Sequence, residues 1–146
     1  MDLRVWSALD DRLIEVRIER STERGPGVWV EDLPDGRART TAERIRAALV
    51  NSGFFQEAPA VSVRLVPPVP GPTAELDLPI ALAVLGHAGR VGAGLRWILA
   101  SGRLGLDGRV YTDGDRSHST LADAVGACQT PAVESEPMFG AFDSHE

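Results

Sequence analysis

The sequence predicts an α/β domain of the α+β kind, a mixed sheet with helices packed on one face, and three observations carry that prediction. The stretch Glu75–Leu85 reads E-L-D-L-P-I-A-L-A-V-L, a run apolar on every side that only a buried central helix can accommodate. The segments Leu13–Glu19 and Val61–Val66 instead alternate apolar and polar residues, the period of strands with one wet face. Strand, helix, strand, helix order through the middle of the chain then implies a right-handed crossover with its helices on one side of the sheet.

Each element has its own local reason. Leu13, Ile14, Val16 and Ile18 largely alternate with Glu15, Arg17 and Glu19 to give the first strand, Arg20–Gly27 is a polar turn, and Val28-Trp29-Val30 resumes as a strand, so the first third is expected to form a hairpin or meander that ends at Pro34-Asp35-Gly36. Thr40 and Glu43 have the spacing of a capping box, in which the threonine oxygen and the glutamate carboxylate satisfy each other's backbone donors. Ile45, Ala48 and Leu49 form the stripe of the helix that follows, and Gly53 supplies a left-handed residue at its end. After strand Val61–Val66 the Pro/Gly-rich loop Pro67–Pro72 leads into the central helix. Asp77 is placed to cap its first-turn N–H groups, and Pro79 is tolerated there because its missing donor is not needed. Strand Arg96–Ala100 and an Asp107-Gly108 hairpin between apolar residues come next. Leu121, Ala124, Val125 and Cys128, at i, i+3, i+4 and i+7, mark a last helix. Residues 1–128 thus form one domain, and 129–146, with Pro131, Pro137, Gly140 and four carboxylates, read as a flexible acidic tail.

Composition narrows the function. With 146 residues and 43% hydrophobic content, one core can form without covalent staples. A single cysteine, Cys128, excludes an intramolecular disulfide and a cysteine-cluster zinc site, as expected in a reducing cytoplasm. No apolar run is long enough for a membrane span. The net charge of −6 disfavours a surface built mainly for nucleic acid, where phosphates need concentrated cations. All 15 basic residues are arginine. Without lysine there is no P-loop lysine, and no G-x-x-x-x-G-K-[ST] occurs, so nucleotide hydrolysis by this chain is not expected.

Four motifs in order, L-P-D, R-x-R-x-A-L-x-N-S-G-F, D-L-P-I-A-L and G-x-L-G-L-D-G-R-V, resemble the N-terminal domain of the ComM-type, magnesium-chelatase-subunit-I-like proteins. The resemblance runs from about Val5 to Val125. It implies a bacterial, cytoplasmic protein with a Lon-protease-domain-like, ribosomal-protein-S5-domain-2-like fold. In that family an ATPase module follows the domain, so this sequence is expected to be a stand-alone version whose partner is an unknown protein, a separately encoded AAA-type ATPase being one candidate. In Lon-type proteases a serine lies in a loop before the equivalent helix and a lysine after the later hairpin. Here those places read Gly71-Pro72-Thr73-Ala74-Glu75 and Asp113-Gly114-Asp115-Arg116-Ser117-His118. Arg116 is no substitute base, because a guanidinium does not give up its proton.

The expected role is therefore non-catalytic, an interaction or assembly domain with no cofactor and no metal. The alternatives are a divergent Lon-like hydrolase built from Thr73, Glu75, Asp113, Asp115 and His118, and an accessory in DNA processing suggested by ComM-type and RadA-type relatives. Local support for the latter is the cluster Arg37, Arg39, Arg44 and Arg46, read either as a basic surface or as an ordinary solvated helix face. His118 near Asp113 and Asp115 is better explained by a polar loop that caps the last helix through Ser117 or Ser119 than by a metal site. His87 reads as a helix-end residue and His145 as part of the tail. Cys128 falls on the apolar stripe, as a buried structural thiol does. Trp6, Trp29 and Trp97 lie on strands and pack the core or a sheet face. Met138, Phe139 and Phe142 in the acidic tail form a candidate docking motif for a partner.

Overall fold

Alternation along the first two strands decides which side of the sheet is buried. In a computed structural model of the chain, which describes residues 3–9, 11–21, 27–31, 35–57, 59–69, 74–91, 95–112, 116–129 and 142–145, β1 (Arg4–Leu9) and β2 (Arg12–Arg20) pair antiparallel, with Val5 opposite Val16 and Ser7 opposite Ile14. β2 pairs antiparallel with β4 (Ala60–Val66), and β4 runs parallel to β3 (Gly27–Val30). β5 (Leu95–Leu99) lies parallel to β1. The result is a six-stranded mixed sheet in the order β3-β4-β2-β1-β5-β9, as the sequence predicts for its class. β9, Phe142–His145, runs antiparallel to β5 with Leu99 opposite Phe142. With Gln129, these are the described residues of the stretch read as a tail.

Two helices cover the face that holds Val5, Val16, Val63 and Ile98. α1 (Asp35–Asn51) packs on β3, and α2 (Asp77–His87) packs on β1, β2 and α1. Asp77 through Leu85 are all buried, so the apolar run is the centre of the core. α1 starts earlier than the capping box implied. Thr40 lies inside the helix, and Glu43 bonds Arg46 instead, Arg46 Nη2 donating to Glu43 Oε2 at 2.9 Å. Its end is as read: Gly53 has φ +83°, Gly53 N–H donates to the Val50 carbonyl and Phe54 N–H to the Leu49 carbonyl, the two bonds of a Schellman cap.

A smaller sheet follows, β6 (Arg103–Leu104), β7 (Arg109–Thr112) and β8 (Arg116–Thr120). The Asp-Gly hairpin joins β6 to β7, with Gly108 at φ +90° and Asp107 Oδ1 accepting from the Arg109 N–H at 3.0 Å. β8 occupies residues read as a polar loop. The cap of α3, Leu121–Gln129, comes from Thr120, one residue beyond the serines read for that role: its Oγ1 accepts from the Asp123 N–H at 3.2 Å while its own N–H donates to Asp123 Oδ2 at 3.0 Å. That reciprocal pair is a capping box with aspartate in the third position. Cys128 is buried on the apolar stripe. Among the described residues no helix is long and apolar enough to cross a membrane.

The opposite face of the large sheet holds charged and aromatic side chains. Glu15, only 6% exposed, accepts from Arg4 Nε at 2.8 Å and Arg17 Nε at 2.9 Å. Burial pushes its carboxyl up, but the two arginine hydrogen bonds together outweigh that and hold it below its ordinary value. A carboxyl lowered in the folded state stabilises the fold above its unfolded pKa, and that stability is lost as the pH falls through the folded one. Both arginines are more than half exposed, so solvent screening limits the gain. Glu15→Gln is therefore expected to lower stability by about 1 kcal/mol at neutral pH. Denaturation curves of the two proteins should converge once acid has protonated the wild-type carboxylate.

Candidate functional site at the Arg44–Asp77 pair

Asp77 belongs to the most informative motif of the chain, and its chemistry differs from the one its position suggested. A short 3-10 turn, Ala74–Leu76, precedes α2. The residue in the cap position is therefore Leu76, already in helical conformation with φ −80° and ψ −8°, and no side chain caps the helix. The first-turn donors are met from elsewhere: Leu78 N–H donates to the Gly102 carbonyl at 2.9 Å, and Gly102 N–H returns a bond to the Glu75 carbonyl at 2.8 Å. Released from capping, the Asp77 carboxylate turns inward.

There it meets Arg44. Arg44 Nε donates to Asp77 Oδ2 at 2.6 Å and Nη2 to Oδ1 at 2.9 Å, a two-pronged pair between α1 and the start of α2. The Leu104 N–H donates to Oδ2 at 3.0 Å, bringing in the second sheet. Asp77 is 0% exposed, and the Arg44 side chain 24%. Burial pushes the Asp77 carboxyl up, and the bonds from Arg44 and Leu104 N–H pull against that. The same pair strengthens the hold of Arg44 on its proton. Both carboxylate oxygens are occupied, so the group has structural work and no open side to offer a substrate.

The surroundings reinforce the junction. Asn51 Nδ2 at the end of α1 donates to the Leu106 carbonyl at 2.8 Å, and Leu121 N–H at the start of α3 donates to the Gly108 carbonyl at 2.7 Å. A Cβ at Gly108 would collide with Ser52 Oγ. That glycine thus serves both its positive φ and the close approach of the hairpin to α1.

Thr73, Asp113, Asp115, Met138 and Phe139 lie outside the described residues. Glu75 is exposed on the 3-10 turn, and His118 lies by its backbone in β8. Of the arginine cluster, Arg37 is placed in α1 by its backbone, Arg39 is exposed, Arg44 is spent on Asp77 and Arg46 binds Glu43. The helical repeat turns Arg44 toward the core stripe of Thr41, Ile45 and Ala48, away from the exposed Arg39. That repeat was the overlooked signal: Arg44 falls three and four residues from buried positions. Phe142 is a strand residue at the sheet edge. Among the described residues no three His, Cys, Asp or Glu side chains are grouped to hold a metal ion. An open groove of about 890 Å³ runs past Phe54, Phe55 and Arg90, with the Arg90 guanidinium 5.6 Å from the Phe55 ring centre.

Comparison with known proteins places this architecture. The family model for subunit ChlI of Mg-chelatase matches residues 14–126, which span β2 to α3 and include both Arg44 and Asp77. The chain is also similar to YifB of Escherichia coli strain K12, described as an uncharacterized protein, at 33% identity over 73 residues, 49% of this chain and 14% of that protein. Similarity to YifB of Salmonella typhimurium strain LT2 is 34% over 73 residues, with the same coverage. The chain thus matches about one seventh of the length of these relatives. With most of its residues under the family model, the chain belongs to the family of subunit ChlI of Mg-chelatase.

Proposed function

We propose that this chain is a non-catalytic interaction or assembly domain of its family, acting in the cytoplasm on a protein partner, with a separately encoded AAA-type ATPase as the first candidate. The observation that carries the reading is the commitment of Asp77. The acid of the D-L-P-I-A-L motif is fully buried and bonded on both oxygens, so it holds the fold together and is closed to reacting groups. The absence of lysine from the sequence supports the same reading, since neither a Ser-Lys dyad nor a P-loop can be assembled without one.

The test is direct. Purified protein is expected to hydrolyse neither casein, nor fluorogenic peptides, nor ATP above a buffer blank, and Thr73→Ala is expected to leave those traces unchanged. Peptide cleavage that disappears in Thr73→Ala would establish the divergent hydrolase instead. Co-expression with a candidate ATPase, read by co-elution on size exclusion, then tests the partner.

A further inference from the structure

The sheet face turned away from the helices carries an arrangement that folding alone does not favour. Arg17 of β2 stands opposite Arg64 of β4, Arg4 stands one step beyond the Val5–Val16 pair of β1 and β2, and Arg4 pairs with Trp97 of β5. One row across four strands therefore reads Arg64, Arg17, Arg4, Trp97. With strands about 4.8 Å apart, the three guanidinium-bearing positions lie within roughly 10 Å. Like charges directly opposite each other on a sheet are destabilising.

One buried carboxylate answers this row. Glu15 takes the Nε donors of Arg4 and Arg17, which leaves their terminal Nη donors without a partner among the described residues. Arg4 also lies over the Trp6 ring, 5.3 Å from its centre, so its side chain is held from two directions. Arg64 is exposed and has no carboxylate partner among the described residues. Trp97, which ends the row, is 41% exposed, and Leu13, four residues along β2 from Arg17 on the same face, is 58% exposed. Tryptophan and arginine are the residues that most often dominate binding energy at protein interfaces.

We propose that this row is the docking site for an acidic, partly apolar polypeptide segment of a protein partner, whose carboxylates meet the free donors of Arg4, Arg17 and Arg64 and whose apolar side chains cover Trp97. The assignment rests on the reading of the chain as an interaction domain and names the chemistry of its partner. Glu15 is a positioning residue here, since it fixes two guanidiniums without touching the ligand. Charge selects a polypeptide over a nucleic acid. The chain carries a net charge of −6, and Glu15 and Glu19 share the face with the row, so a dense polyanion is repelled beyond three contacts. A peptide can match three cations with as few carboxylates.

The experiment uses the full chain and fluorescence anisotropy with three labelled probes: a peptide in which three glutamates alternate with leucines, the same peptide with glutamines, and an oligothymidylate. The glutamate peptide is expected to bind at low salt, weaken as salt rises, and quench tryptophan emission. The glutamine peptide is expected not to bind. Arg64→Gln, with an unchanged melting curve, and Arg17→Gln, with a slightly lowered one because it gives up a bond to Glu15, should each weaken binding by about tenfold, the scale of one charge-assisted hydrogen bond. Trp97→Ala should lower affinity and remove most of the quenching. Glu15→Gln gives the sharpest distinction. If only net charge mattered, removing an anion would tighten binding of an acidic peptide, whereas loss of the anchor is expected to weaken it.

Absence of glutamate-peptide binding, equal binding of the two peptides, tighter binding of the oligothymidylate, or a gain of affinity in Glu15→Gln would each overturn the proposal. Failure here with retained association to a protein partner removes this surface and leaves the interaction-domain reading standing. Peptide hydrolysis by the purified chain would remove that reading while the anisotropy result stood on its own.

Discussion

Asp77→Ala is expected to cost about 3–5 kcal/mol of folding stability, the range for breaking a buried ion pair by deleting one partner. The variant leaves the Arg44 guanidinium, 24% exposed, without its anion, and strands the Leu104 N–H that donates to the same carboxylate. The size of the effect separates two roles. Loss of a helix cap, the role suggested by sequence position, costs about 1 kcal/mol, whereas loss of the pair costs several times that. Urea denaturation decides, provided the midpoint moves with the slope unchanged. Replacing both partners by apolar residues of similar volume, Asp77→Leu with Arg44→Met, should recover much of the loss, because no charge is then left buried alone. A single-variant cost below about 1 kcal/mol would return Asp77 to a minor capping role.

This pair also marks the limit of what the sequence alone can disclose. Signals that act over a few residues were legible: the apolar run of α2, the alternation of β2 and β4, Gly53 closing α1, the Asp-Gly hairpin, and the i, i+3, i+4, i+7 stripe of α3. Local chemistry competes with itself, however. Thr40 and Glu43 have capping-box spacing, but the helix already runs from Asp35, and Glu43 finds Arg46 one turn on. β8 reads R-S-H-S-T with no apolar alternation, so nothing in its composition distinguishes it from a loop. Interactions between distant positions were hidden for a different reason. Arg44 and Asp77 are 33 residues apart, and the row of Arg4, Arg17 and Arg64 exists only because strand register aligns them. A shift of one residue in β2 would place Arg17 on the core face. The candidate site was therefore legible as residue types and not as partners.

Leu82→Asp is expected to leave the chain unfolded. Leu82 is 0% exposed in the middle of α2, the helix that packs on β1, β2 and α1. Deleting a buried leucine side chain costs about 2–5 kcal/mol by itself. Placing a carboxylate in the same apolar space adds several kcal/mol more, through burial of an unpaired charge or through the work of protonating it. Against a total stability of about 5–15 kcal/mol for a domain of ordinary size, that sum removes the folded state. Far-UV circular dichroism should show the loss of helix and sheet, and heating should give no cooperative transition. Leu82→Met, which keeps the volume, should cost less than about 1.5 kcal/mol and shows that the site tolerates change as such. Leu13→Asp supplies the complementary control. It makes the same chemical change on the open sheet face, where Leu13 is 58% exposed, and should stay within about 0.5 kcal/mol. If Leu82→Asp were instead soluble and melted cooperatively near the wild-type temperature, α2 would not be the centre of this core.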